Sequence, residues 1–336
     1  METSRNVVAM EAKSMTQFNK VVVVGLGQIG LPVAKYVKQR GFDTYGYDIR
    51  PKAVERAEKT AAIKKADNFS DFDVFIICIS THKPDDIYSP QIDGLLSVVD
   101  KISKEADNKK DGTLVSIEST IPKGTSKKVF ELLNHRFHIV HAPHRWYALE
   151  EKLHGVNQLR VIGGVGDCCL RAGMQFYSEG NSRVETQGSS SPTHSSPLSS
   201  SPHSHLSKSL GIPMHTVSDI DTAEMTKITE NAHRYLQIAF AEDLYLYCQA
   251  NNINFSELRD ALNTKWNVNI LEPREGVGGH CLPKDTKMFL QSSNDRSSKI
   301  VTAARETDKD YKAFITKLDK GISSTIIEDV SILNRI

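Results

Sequence analysis

Chemistry in this sequence gathers around a few residues, beginning with Cys281 in EGVGGHCLPKD. Gly276, Gly278 and Gly279 let the backbone approach a ligand closely, and Lys284 and His280 lie near enough to favour a thiolate. This makes Cys281 the candidate nucleophile. The alternative for any cysteine is a small buried hydrophobe, which is how Cys78 in FIICIS reads; Cys168, Cys169 and Cys248 fall on expected helices and read as packing residues. Lys227 and Asn231, four apart in AEMTKITENAHRY, project from one helix face, where an ammonium and an amide can stabilise an oxyanion. A solvated helix face would show the same spacing. Ser119, Thr120, Pro122, Gly124 and Thr125 follow an apolar run in IESTIPKGTS. Loops past the carboxyl ends of parallel strands bind ligands, although a Ser/Thr helix cap gives the same composition.

A second constellation is GLGQIG, in which Gly25, Gly27 and Gly30 directly follow the apolar run Val21 to Val24 and open a helix. The first glycine permits the tight turn, the second admits a pyrophosphate, and the third lets helix and strand pack closely. Free amides at the helix start face the phosphates. Asp48 lies 21 residues after Gly27, at the end of the next strand, where its carboxylate can accept bonds from the adenosine ribose. It would repel a 2′-phosphate, so NAD is expected as cofactor rather than NADP, despite Arg50 nearby.

These residues need a frame. Short apolar runs at Val74 to Ile79, Thr113 to Ile117, His138 to Val140 and Arg160 to Val165, separated by helical or loop-like stretches, predict a Rossmann-type doubly wound parallel sheet over 20–188. Cys168 to Phe176 predicts a helix behind the last run. Residues 1–19 read as a disordered leader. Between Ser189 and Ser209, 11 of 21 residues are serine, interleaved with proline and histidine, which predicts a flexible linker. An all-α domain follows over 210–298, with a helix of about 30 residues from Ile220 carrying Ala223, Ile228, Ala232, Tyr235, Ala239 and Leu246 on its apolar face, and a second helix over Phe255 to Thr264. The segment 299–336 reads as one helix, with Ile300, Ala304, Tyr311 and Ile315 apolar, and a short tail.

Composition excludes several function classes. Lys and Arg total 42 against 41 for Asp and Glu, which leaves no broad basic field for nucleic acid. No run approaches the ~20 apolar residues of a membrane span, and the leader lacks the shape of a secretory signal, so a cytoplasmic protein is expected. The five cysteines are scattered, without CxxC pairs, and no metal site is expected.

GLGQIGLPVA, STIPKGT, AEMTKITEN and VGGHCLPKD, in this order, resemble the motifs of the nucleotide-sugar 6-dehydrogenases, the UDP-glucose/GDP-mannose dehydrogenase family, with the N-acetylhexosamine branch nearest. The similarity spans about Val21 to Phe289. It implies oxidation of the C6 alcohol of a nucleotide sugar, a UDP-sugar above all, to a carboxylate by two hydride transfers to NAD, in glycan precursor synthesis. Cys281 matches the family nucleophile, which forms a thiohemiacetal and then a thioester. Lys227 and Asn231 match the oxyanion pair, while Asp285 and Thr120 match residues that position water. The resemblance also implies a cofactor site at Gly25, Gly27, Gln28, Ile29, Gly30, Asp48, Ser80, Thr81 and Thr120, a sugar site at Arg160, Gly278 and Gly279, and a homodimer contact along the long helix.

Two departures stand out. Where the family carries Pro-Glu after a strand, this chain has Pro143 and His144; a histidine can replace the glutamate as general base, or Glu150 or Glu151 can, or none. No segment after Gly321 is long enough for the family's C-terminal nucleotide-gripping domain, so a missing domain is expected. Two other readings compete: a two-electron hydroxyacid or 6-phosphogluconate-type dehydrogenase, which needs no cysteine, and a non-catalytic NAD-binding or dimerising protein.

Overall fold

A computed structural model describes residues 17–106, 112–145, 155–178, 208–293 and 297–333, with side chains as far as residue 318. Most of the expected leader (1–16), most of the Ser-rich stretch (189–207), and Glu150 and Glu151 lie outside the described residues. The described chain forms two compact units. The first draws on Met1–Ser80, Asp93–Ser119 and Gly124–Glu224; the second draws on Thr81–Ile92, Thr120–Lys123 and Met225–Ile336.

The first unit is built on eight strands: β1 (Lys20–Val24), β2 (Asp43–Tyr47), β3 (Lys64–Lys65), β4 (Val74–Ile77), β5 (Leu114–Ile117), β6 (His138–His141), β7 (Arg160–Gly164) and β8 (Met214–Thr216). Their order is β3-β2-β1-β4-β5-β6-β7-β8. The order reverses between β1 and β4, and that switch point is where a doubly wound sheet opens a crevice at its carboxyl edge. Val21 to Val24, Val74 to Ile77 and Leu114 to Ile117 are buried throughout, as β-branched runs are when helices cover both sheet faces. Helices α1 (Gly30–Gln39), α2 (Pro51–Ala61), α3 (Asp93–Glu105), α4 (Thr125–Leu132) and α5 (Asp167–Tyr177) belong to this unit. Val33, Ala34 and Val37 of α1 join one core with Val21, Val23, Ile76, Val140 and Phe176.

The sheet differs from the expected all-parallel form at one place. Strand β7 runs antiparallel to β6, through Val140 opposite Gly164 and His141 opposite Gly163, and the Val165 N–H donates to the Ile139 carbonyl at 3.1 Å. Strand β8 pairs parallel to β7, so the last two strands both run against the other six; an antiparallel edge on an otherwise parallel sheet is a common variation, because each residue pair is at least as well bonded that way.

The second unit contains most of α6 (Ile220–Ala250), together with α7 (Phe255–Asn263), α8 (Cys281–Gln291) and α9 (Lys299–Leu333). Five of the six expected stripe positions of α6, Ala223, Ile228, Ala232, Tyr235 and Ala239, are buried, and Leu246 is only half-buried. Helix α9 departs from expectation in two ways. It continues to Leu333 rather than giving way to a tail, and Ile300 is 72% exposed. Its buried stripe is Val301, Ala304, Asp308 and Tyr311, three and four residues apart, so the register puts Ile300 outside. Among the described residues no helix is long and apolar enough to cross a membrane.

One buried charge group sits just past β5 in the first unit. Glu118 pairs with Arg160 Nη1 at 3.1 Å and with His144 Nε2, and it accepts a bond from the Tyr177 hydroxyl, which also meets Ser116 Oγ at 2.6 Å. The Arg160 Nη2 donates to the Val156 carbonyl at 2.7 Å. Burial opposes ionisation, but Arg160 and His144 outweigh it and hold the Glu118 carboxyl down at about 2. A carboxyl with its folded value below the ordinary 4.5 stabilises the fold above that value, and the contribution fades as pH falls toward 2. Glu118→Gln leaves the Arg160 charge buried without its carboxylate, and urea unfolding at neutral pH should register a loss of about 3–5 kcal/mol. The variant should also lose part of the wild-type acid slope between pH 4.5 and 2. Wild-type stability in the variant would show that the ion pair contributes nothing net.

Candidate active site

In the first unit the glycine turn has the form its sequence demands. Gly25 has φ of +92°, and a Cβ there would stand 2.6 Å from the Cys78 carbonyl oxygen, while a Cβ at Gly30 would stand 1.6 Å from the Gly25 oxygen. Only hydrogen fits at either position. A Cβ at Gly27 would meet nothing nearer than Arg50 Nη2 at 3.9 Å, so the space above the turn is open. That is the opening a pyrophosphate needs at the start of α1. Gln28 is exposed and Ile29 partly buried there; Ser80 is exposed past the end of β4.

Asp48 lies beyond β2 and is already engaged. Its Oδ2 accepts the Leu26 N–H at 2.8 Å, and its Oδ1 accepts the Arg50 N–H at 2.9 Å and Arg50 Nε at 3.2 Å. Burial pushes the carboxyl up, yet the Arg50 and Leu26 hydrogen bonds prevail and keep it below the usual carboxylate range. It is therefore anionic at neutral pH, as a ribose-binding acceptor must be.

The second unit assembles the other candidates. The Asp285 carboxylate accepts from the Asn231 amide through Oδ2 and pairs with Lys284 Nζ at 2.8 Å through Oδ1. Lys284 donates to Thr81 Oγ1 at 3.2 Å, and Thr81 Oγ1 donates to the Thr120 carbonyl at 2.7 Å. A continuous polar chain thus joins α6, α8 and the segments around Thr81 and Thr120. Cys281 opens α8, exposed, with its sulfur 3.5 Å from His280 Nε2 and within the field of Lys227. Gly278 and Gly279 are exposed just before it.

The expected thiolate is not found. Desolvation and then the Asp285 charge push the Cys281 thiol up, and Lys284 and Lys227 only partly offset them. The Lys284 charge is neutralised by Asp285, while desolvation, Lys284 and His82 hold His280 below its usual range and leave it uncharged. Cys168 is also not a packing residue: it is exposed, unlike Cys169.

His144 and Arg160 lie in the first unit within the buried Glu118 group, at 4% and 1% exposure. Both bind the Glu118 carboxylate there. Three acids escaped the sequence reading. Glu118 was legible as a charge placed directly after the apolar run LVSI. Glu224 accepts the N–H of Gly124 at 2.5 Å and of Ser126 at 2.7 Å, capping α4. Asp308 stood on the apolar stripe of α9, which is itself a sign of a buried role.

Asp308 fixes the glycine loop ahead of Cys281. Its Oδ1 accepts the Val277 N–H at 2.9 Å, its Oδ2 accepts from Tyr235 and Lys312, each at 2.9 Å, and Lys312 also donates to the Val277 carbonyl at 2.9 Å. Gly276, at φ +91°, turns the chain there, since a Cβ would stand 2.8 Å from Lys312 Cε. Fully buried Glu242 faces Asp308, and burial together with that like charge pushes its carboxyl up to about 8.

An open glycine turn at the switch point of a doubly wound sheet, with an anionic acceptor at the next strand end, defines an NAD-binding dehydrogenase domain. The NAD-binding domain of the UDP-glucose/GDP-mannose dehydrogenase family matches residues 59–180, and the central domain of the same family matches residues 221–310. The chain belongs to this family, and is a nucleotide-sugar dehydrogenase with NAD as cofactor. It is 29% identical over 328 residues to the UDP-N-acetyl-D-mannosamine dehydrogenase of Methanococcus maripaludis, covering 91% of this chain and 69% of that protein. It is also 29% identical to that of Campylobacter jejuni, covering 93% of this chain and 77% of that protein. The solved UDP-D-ManNAc dehydrogenase of Pyrococcus horikoshii superposes with a TM-score of 0.69 at 27% identity, over 91% of this chain and 72% of that one.

The Glu242 carboxyl gives a pH signature with a definite sign. A carboxyl raised from 4.5 to about 8 keeps its proton in the fold after the unfolded chain has released it, so stability declines as pH rises through that window. Glu242→Gln should flatten this part of the stability profile, measured by thermal unfolding from pH 5 to 8. An undiminished slope in the variant would assign the decline to other groups.

Proposed function

We propose that the chain oxidises the C6 primary alcohol of a UDP-sugar, of the N-acetylhexosamine class, to the carboxylate in two successive oxidations with Cys281 as covalent catalyst. The observation that carries this reading is the Asp285 carboxylate, which binds Asn231 and Lys284 in the unit where Cys281 opens a helix. The names of the relatives support the substrate class. NAD, when bound, supplies the acceptor for each hydride.

The chain's residues supply the rest. The Cys281 thiol adds to the C6 aldehyde: a sulfur–carbon bond forms, the carbonyl π bond breaks, and the thiol proton passes to the oxygen. Lys227 and Asn231 stabilise the negative charge that develops on this oxygen. The thiohemiacetal loses hydride to the acceptor and its hydroxyl proton to water, leaving a thioester, and water cleaves this to the acid while the sulfur regains a proton. Asp285 and Thr120 hold that water in this reading. His144 is the base for it, its ring oriented by Glu118 as an imidazole is by a carboxylate partner. Gly278, Gly279 and Arg160 are assigned to the sugar side, and Gln28, Ile29, Ser80 and Thr81 to the cofactor side with the glycine turn. Phe240 at 57% and Tyr247 at 59% exposure on α6 support a homodimer formed along that helix.

Incubation with a panel of UDP-sugars, counting NADH formed per sugar, tests the reaction. Two NADH per sugar are expected, none of the acid from Cys281→Ala, and turnover slowed by ~10²-fold in Asn231→Ala. Full acid production by Cys281→Ala would remove the covalent mechanism and favour a two-electron dehydrogenase. His144→Gln should release a burst of NADH and then stall with thioester on Cys281, visible by mass spectrometry. Asp48→Ala should weaken the preference for NAD over NADP; an unchanged preference would detach Asp48 from the ribose.

A further inference from the structure

In the first unit, and sharing no residue with the dehydrogenase reading, three soft metal ligands meet: the ligand atoms of His138, Cys168 and Cys169 all lie within 4.8 Å of one another. His138 opens β6 and the two cysteines stand in the first turn of α5. The backbone fixes this meeting, because the Val165 N–H bonds the Ile139 carbonyl just ahead of the Gly166 cap of α5. We propose that His138, Cys168 and Cys169 form a binding site for zinc that ties the start of β6 to the start of α5.

The donor set selects the metal. Two sulfurs and one imidazole nitrogen, without a carboxylate, suit zinc and other thiophilic cations and disfavour magnesium and calcium. Zinc bonds of about 2.3 Å to sulfur and about 2.0 Å to nitrogen hold tetrahedral donors roughly 3.5–3.8 Å apart, so side-chain rotation within the observed spread closes the site. Cys169 is 3% exposed and packs in the sheet core, whereas Cys168 is exposed, so one side of the site opens to solvent and leaves a fourth position for water. Charge also balances: zinc displaces two thiol protons, and the thiolates cancel its double charge.

A second cluster, Cys78, Glu118 and His144, has similar spacing. It is excluded by its neighbour, because the Arg160 guanidinium already occupies Glu118 at 3.1 Å and would repel a cation.

The test uses the full chain purified under reducing conditions, with metal content read by mass spectrometry after zinc loading. One zinc per chain is expected in wild type and in Cys281→Ser, with affinity lowered roughly 100-fold or more in Cys168→Ser and in His138→Ala. Cobalt loading of wild type should give thiolate-to-cobalt charge-transfer absorption together with the visible bands of a tetrahedral ion. Cys168 is exposed, so its serine variant leaves the core intact. Wild type also needs no variant at all: zinc should protect Cys168 from alkylation while Cys281 stays reactive. Zinc retained at full affinity by Cys168→Ser, zinc lost from Cys281→Ser, cobalt without charge-transfer absorption, or Cys168 alkylated equally with and without zinc would each overturn the site.

Discussion

The second unit of this molecule depends on one carboxylate. Asp285 is 1% exposed and binds an ammonium with one oxygen and an amide with the other. A buried carboxylate without such partners would cost several kcal/mol, so the pairs are the condition on which α8 can place it inside at all. Since Lys284 is next to it on α8 while Asn231 stands on α6, the same charge that needs satisfying also fixes one helix against the other. Lys284 then carries the constraint to Thr81, and Thr81 to the Thr120 carbonyl. Four separate chain segments are thus held by consecutive polar bonds.

The loop that presents Cys281 is governed by a similar rule. Asp308 is buried on α9, and its oxygens take the Val277 amide, the Tyr235 hydroxyl and the Lys312 ammonium. Around this acid an apolar cluster, Tyr235, Ala239, Val277 and Ala304, packs the loop. Position is therefore specified by hydrogen-bond direction more than by shape, which is what a glycine-rich segment allows: with few side chains it has little to pack, but its amides remain available.

The sequence made the frame legible because its signals are local. Val21 to Val24, the glycine spacing after them and the 3.6-residue stripe of α6 each follow from neighbouring residues, and they appear in the structure as read, the stripe as far as Ala239. Charge partners were not legible in this way. Glu118 and Arg160 are 42 residues apart, and Asn231 and Asp285 are 54 apart, so nothing in the spacing shows that they meet. Ile300 failed for a related reason: an apolar residue at a helix start fits several registers, and the burial of Asp308 chose the one that left Ile300 outside. Lys284 shows the same limit for electrostatics. Sequence proximity to Cys281 predicts a lowered thiol, but the ammonium's effect depends on the Asp285 charge beside it, which only the fold reveals.

That neutral thiol has a chemical consequence for the proposed reaction. A thiolate adding to an aldehyde leaves an alkoxide that must find a proton, and a free thiolate is also the form that oxidises. A thiol held above its usual range by desolvation and Asp285 brings its own proton to the addition, so sulfur attack and oxygen protonation can proceed together. Lys227 and Asn231 would then stabilise a partial rather than a full charge. The pair lies four residues apart on α6, and Asn231 is held by Asp285. In the proposed reaction one acid therefore does two things: it orients the amide donor, and it adds its charge to the desolvation that holds the thiol above its usual range.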